Sequence, residues 1–181
     1  MTIENGLLKN AAQYPSSNHN ERPNEDDINL LVIHGISLPA GEFGGPWIDD
    51  LFLNRLDTSI HPSFGSLKGL KVSSHLLIRR NGEIHQYVPF HKRAWHAGIS
   101  SYQGRENCND YSVGIELEGT NSTPYTDAQY TTLSQVTRLL LSHYPHMNKQ
   151  RITGHEQIAP GRKTDPGPFF DWARYYTLLN A

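Results

Sequence analysis

Residues 28–34 read INLLVIH, an apolar run with β-branched Val32 and Ile33 near its end, closed by a histidine and followed by Gly35. A run this short and this apolar reads as a strand covered on both faces, and such a strand belongs in the middle of a sheet with helices packed on it. The rest of the chain supplies its partners. YSVGIELEG (111–119) alternates as a second strand, VSSHLLIRRNGEIHQYVP (72–89) reads as a hairpin about Asn81-Gly82, and RITGH (151–155) is a short strand. Between them lie WIDDLFLNRL (47–56), apolar at helical spacing after Pro46, and TDAQYTTLSQVTRLLLSHYP (126–145), with Thr126 as N-cap and Pro145 past the end. PFFDWARYYTLL (168–179) reads as a C-terminal helix. Interleaved strands and helices predict an α/β fold: one domain over residues 28–181, a mixed central β-sheet flanked by helices. Residues 1–27, polar and punctuated by Pro15 and Pro23, read as an arm packed on that domain. The irregular stretches 90–110 and 156–167 exceed ordinary connection lengths, and loops of that kind commonly carry function.

A chain of 181 residues suits a single domain with a real core, and 36% hydrophobic against 19% charged residues is a soluble, globular balance. The formal charge is −2 and the Lys and Arg residues are scattered. That pattern excludes a dedicated nucleic-acid or anionic-membrane surface, which needs a basic stripe. No apolar run approaches the roughly 20 residues that cross a bilayer, and the N-terminus lacks the basic-then-apolar pattern of a secretory signal. Cys108 is the single cysteine and cannot form an internal disulfide. Together these features point to a reducing cytoplasm; the expected form is a monomer acting on a small molecule.

The segment TGHEQIAPGRKTDPG (153–167) concentrates chemistry between chain breakers. Pro166 favours an extended Asp165, so Lys163 and Asp165 would point the same way with Thr164 opposite. Taken alone, such a pair is most often a surface ion pair worth about 0–1 kcal/mol. His34 and His155 each end a strand, where open α/β sheets place ligands, although a single strand-end histidine is more commonly structural. Two such histidines plus Asp165 make a three-ligand set that leaves a fourth zinc position for water. It is no local motif: Glu156 follows His155, but no second histidine stands four residues on. On the strand 111–119, Glu116 shares a face with Gly114 and Glu118. Two carboxylates on a strand face are solvated by default, yet one facing the metal could act as general base. Alternation does not choose between Glu116 and Glu118. In WHAG (95–98), Trp95 is either core or a plate for a sugar ring. Among ten histidines, His61, His75, His85, His91 and His96 read as bystanders, and Glu156 and Arg162 as surface charges.

The segments LLVIHGISLPAGEFGGPWID, VSSHLLIRRNGEIHQYVPF, KRAWHAGISSYQGRENCNDYSVGIELEGT and TGHEQIAPGRKTDPGPFFDWAR, in that order, resemble the zinc-dependent type 2 N-acetylmuramoyl-L-alanine amidases, whose wider fold family includes the peptidoglycan recognition proteins. The resemblance runs from about residue 13 to the C-terminus. It implies zinc ligands at His34, His155 and Asp165, a catalytic glutamate at Glu116, a lysine beside the metal at Lys163 and a sugar-facing tryptophan at Trp95. The implied reaction cuts the amide between the muramic lactyl group and L-alanine. Within the family the likeness leans toward cytoplasmic enzymes of peptidoglycan recycling that act on 1,6-anhydro-muropeptides and, in some bacteria, restrain β-lactamase induction. Loss of a zinc ligand or of the glutamate would instead mark a binding module that captures muropeptides without cleaving them. A wall-lysing amidase on the same fold is a further alternative. Three positions depart from the family pattern: Gly35 stands where Asn is usual, and Lys71 and Asn107 where Arg is frequent. Those changes bear on contacts to the substrate's stem peptide, because Lys71 lacks bidentate geometry and Asn107 lacks charge.

Overall fold

The computed structural model describes residues 1–181. Its core is a six-stranded mixed sheet, β1 (Ala12–Gln13), β2 (Leu30–Ile36), β3 (Leu76–Ile78), β4 (Ile84–Gln86), β5 (Ser112–Glu118) and β6 (Ile152–Gly154), in the spatial order β6-β2-β5-β3-β4-β1. The expected mixed sheet with flanking helices is present. The apolar run that ends in His34 lies inside the sheet, parallel to β5 on one side and β6 on the other. The hairpin about Asn81-Gly82 supplies the antiparallel pair β3 and β4. The arm contributes β1, parallel to β4 at the sheet edge. It also buries Leu8 and Arg22, whose guanidinium donates to the carbonyls of Phe90, Asn109 and Ser112.

Strand alternation divides the core. Leu31, Ile33, Val113, Ile115 and Leu117 face α2 (Asp127–His143) and α4 (Trp172–Asn180), packing on Leu133, Val136, Leu140, Tyr175 and Leu179. On the opposite face, Leu30 and Val32 pack with Tyr111 and with Ala97, Cys108 and Ile158 from the two long irregular stretches. The helix α2 starts where expected. Thr126 Oγ1 accepts the Gln129 N–H at 3.2 Å while Gln129 Oε1 accepts the Thr126 N–H at 3.0 Å, a reciprocal cap. Two expected helices are shorter than their apolar pattern suggests. The first, α1 (Trp47–Phe52), stops because Asn54 enters the left-handed region at φ 58°. α4 starts at Trp172, because Asp171 Oδ1 caps the Arg174 N–H at 2.9 Å. No helix is long and apolar enough to cross a membrane.

Candidate metal centre and active site

Register places the chemistry. Glu116 on β5 pairs directly with His34 on β2, and Gly154 of β6 pairs with Ile33, so His155 enters beside His34. All three side chains therefore meet where parallel strands end, the position at which such sheets bind ligands. His155 differs from its expected role as a strand end. It opens a single helical turn, α3 (His155–Ile158), because the Gln157 side chain folds back to accept from Thr153 Oγ1 at 2.6 Å. The backbone N–H of Glu156 donates to the Asp165 carbonyl at 2.9 Å, which returns the broken loop to the start of that turn.

His34 Nδ1, His155 Nδ1 and Asp165 Oδ2 converge, with separations of 2.9 Å between the imidazoles and 3.1 Å from each to the carboxylate oxygen. Both histidines are buried and Asp165 is partly buried. His155 Nε2 lies 3.1 Å from the Ala97 carbonyl, an obligatory acceptor. The proton of a neutral His155 ring is thereby held on Nε2, and its Nδ1 lone pair points into the cluster. Two imidazole nitrogens and a carboxylate oxygen about 3 Å apart match one face of a tetrahedron whose ligand distances are about 2.0–2.2 Å. The residues fit a metal ion of the zinc type. Burial raises the pKa of Asp165, but the facing imidazoles of His155 and His34 outweigh it and hold the carboxyl well below the usual range. Burial pushes His34 down to about 4, against the pull of Asp165.

Glu116 stands at the rim of this cluster, its Oε1 4.0 Å from His34 Nδ1 and its Oε2 buried without a hydrogen-bond partner. Burial, then the charge of Asp165, raises its pKa well above the ordinary value. Glu118, on the same strand face, is fully engaged elsewhere. It accepts from Arg79 Nη1 at 3.0 Å and from the Gly44 and Arg80 amides at 2.7 and 3.2 Å. The two carboxylates that alternation leaves equivalent are thus separated by their partners. Lys163 is exposed and lines the same cavity of about 250 Å³ as Glu116, His155 and Asp165. Thr164 turns away, accepting from Asn121 Nδ2 at 2.6 Å. The opposite wall is apolar, with Leu38, Phe52, Leu70, Val72 and the half-buried Trp95. The Trp95 indole N–H donates to Asn20 Oδ1 at 2.7 Å, so the arm holds the ring in place.

The three departure positions sit differently. Gly35 lines the cavity, but a Cβ there would lie 2.3 Å from the Tyr125 hydroxyl, which fills the space a side chain would take. Lys71 is exposed in a neighbouring depression that shares Leu51, Leu67 and Leu70 with the cavity wall. Asn107, in the left-handed region at φ 57°, lines a separate depression beside Ile99 and Arg162, so neither Lys71 nor Asn107 reaches the cluster's own cavity. Two residues passed over in the sequence do belong near the site. His96 is buried with Nδ1 2.9 Å from His34 Nε2, and Arg162 donates to the Ala97 and Ile99 carbonyls at 2.5 and 2.6 Å. The adjacency of His96 to Trp95 was a signal for the first; nothing local marks the second. Glu156 is half-buried and accepts the Gly167 N–H at 3.2 Å.

Comparison with known proteins places this geometry. The family model for N-acetylmuramoyl-L-alanine amidase matches residues 24–168. The chain is 58% identical over 180 residues to the 1,6-anhydro-N-acetylmuramyl-L-alanine amidase AmpD of Escherichia coli, covering 99% of this chain and 98% of that one. The crystal structure of a selenomethionine AmpD derivative superposes with a TM-score of 0.96 at 57% identity, over 99% of both chains. The amidase AmiD of Escherichia coli, solved with the substrate anhydro-N-acetylmuramic acid-L-Ala-D-γ-Glu-L-Lys, matches at a TM-score of 0.61 and 29% identity, over 98% of this chain and 65% of that one. With its fold and nearly its full length matched by these enzymes, the chain belongs to the N-acetylmuramoyl-L-alanine amidase family.

Proposed function

We propose that this chain is a zinc-dependent amidase that hydrolyses the bond between the lactyl group of 1,6-anhydro-N-acetylmuramic acid and the L-alanine of the stem peptide, in peptidoglycan recycling. The observation that carries the reading is the convergence of His34, His155 and Asp165 within hydrogen-bond distance of one another, with the unpartnered Glu116 carboxylate at its rim. His34, His155 and Asp165 would hold the metal. Bound zinc supplies Lewis acidity, which makes water a nucleophile near neutral pH.

The chain's own residues do the rest. Glu116, its pKa raised by burial, is matched to taking a proton from the attacking water and returning it to the alanine nitrogen as the amide breaks. Lys163, on the same cavity wall, supplies a cation for the oxygen that gains charge. Trp95 and the apolar wall offer a surface for the sugar ring, while the depression holding Lys71 extends from that wall and is open to a stem peptide. The sugar-anhydro specificity rests on the likeness to AmpD across nearly the whole chain. This reading takes the enzyme to be a cytoplasmic monomer, and the single free, buried Cys108 is in keeping with a reducing compartment.

Mass spectrometry of products from anhydro-muropeptides and from intact sacculi, each with zinc-loaded and chelated enzyme, tests the reading. Released stem peptide from the muropeptide with zinc alone is the expected result. Release from neither substrate, with metal bound, overturns it.

A further inference from the structure

A chain of hydrogen bonds runs inward from His34. The Ser112 hydroxyl lies 2.6 Å from the Cys108 carbonyl, which can only accept, so the one hydroxyl proton of Ser112 is committed there. Ser112 Oγ is also 3.1 Å from His96 Nε2 and can now only accept in that contact, which places a proton on His96 Nε2. The His96 ring is buried and its nitrogens meet Ser112 and His34 with no carboxylate against them, so the ring is neutral and its Nδ1 carries a lone pair. That lone pair faces His34 Nε2 at 2.9 Å. His96 thereby draws the His34 proton to Nε2, in competition with Asp165 Oδ2 at 3.1 Å from Nδ1, and with the proton on Nε2 the Nδ1 that meets His155 and Asp165 is a free donor.

Two further details hold the relay. Asn109 Oδ1 accepts the backbone N–H groups of both His96 and Ala97, at 3.1 and 2.8 Å, which anchors the loop that carries the ring. Gly114, one strand neighbour away, leaves the ring its room: a Cβ there would lie 2.5 Å from His96 Cγ.

We propose that His96, oriented by Ser112, is a positioning residue that sets the tautomer of His34 and through it the metal affinity of the site. The proposal rests on the metal-binding reading given above and assigns work to a histidine at the cavity wall and a serine behind it, neither of them in the three-residue metal cluster. Removing the Ser112 hydroxyl leaves His96 free to protonate Nδ1 instead. His34 would then carry its proton on Nδ1, where it blocks the donor.

The test uses the full-length chain. Long-range ¹H–¹⁵N spectra of the metal-free protein should show both His34 and His96 protonated on Nε2. In Ser112→Ala the two rings should become tautomeric mixtures, and Zn²⁺ affinity measured against a chromophoric chelator should fall about 10- to 100-fold. His96→Asn, whose amide oxygen can stand in for Nδ1 as acceptor, should keep more Zn²⁺ affinity than His96→Ala. A wild-type His34 protonated on Nδ1 overturns the proposal. So does a Ser112→Ala protein with unchanged tautomers and affinity. A wild-type chain that binds no zinc at all would defeat the metal reading alone, because the tautomers are read without metal.

Discussion

At the scale of single residues, Glu116 and Glu118 carry the sharpest contrast. They share a strand, a face and near-complete burial, yet Glu118 is neutralised by Arg79 while one oxygen of Glu116 has no partner. Glu116→Gln should keep zinc and lose about 100- to 10,000-fold in turnover, read by metal analysis beside single-substrate kinetics. The same substitution should stabilise the metal-free protein at neutral pH. The folded-state pKa of Glu116 lies above its unfolded value, so the unfolded chain gives up that proton first and stability falls as pH rises through the interval. Urea unfolding of both proteins on the acid and alkaline sides of neutrality checks the sign; a glutamine variant less stable at alkaline pH contradicts it. Lys163→Ala, an exposed change, should leave both zinc binding and stability intact while costing about 100- to 1000-fold in rate. Rates within a few-fold of wild type would remove Lys163 from the chemistry.

At the scale of elements, the contact between β2 and the segment before α2 shapes the site. The Tyr125 hydroxyl donates to the Pro166 carbonyl at 2.9 Å, directly after the candidate ligand Asp165, and occupies the space over Gly35. Gly35→Ala should therefore cost about 1–3 kcal/mol by overpacking. Tyr125→Phe, which gives up one hydrogen bond, should cost about 1 kcal/mol. The double variant should be more stable than the sum of the two, because phenylalanine removes the atom the new methyl meets. Chemical denaturation of the four proteins closes the cycle, and simple additivity would rule out the clash. Element boundaries follow the same logic of local contacts. The apolar periodicity of residues 47–56 runs past the end of α1, whereas the turn of backbone at Asn54 ends it.

The whole molecule stores several neutral imidazoles. His34, His75 and His96 are all buried, and burial pushes each below the ordinary value of 6.5, His34 to about 4. Between about pH 6.5 and 4 the unfolded chain binds more protons than the folded one, so stability is present above that window and drains away as pH falls through it. His34 alone would account for on the order of 3 kcal/mol. The metal-free Glu116→Gln protein, free of the opposing carboxyl titration, should lose urea midpoint steadily over this range, and a flat midpoint there would contradict the burial of these rings. The two sides of the sheet are closed differently: one face by α2 and α4, the other by α1 and the irregular stretches that bring His96, Lys163 and Asp165 to the site.

Much of this was legible in one dimension. A short apolar run ending in histidine places a candidate ligand toward the end of a buried strand, because periodicity and burial are local properties of the chain. The breakers around His155, Lys163 and Asp165 likewise announce a loop with work to do, and long shared segments announce the family. Contacts between distant segments are a different matter. Which glutamate is free depends on Arg79, 39 residues from Glu118 along the chain. Whether His96 is idle or part of the site depends on the 62 residues that separate it from His34 being folded back. That Gly35 has no room for a side chain depends on Tyr125 arriving from beyond β5. Each of these is a hydrogen bond or a steric contact, with a range of a few ångströms, and only the packed sheet brings its partners within that range.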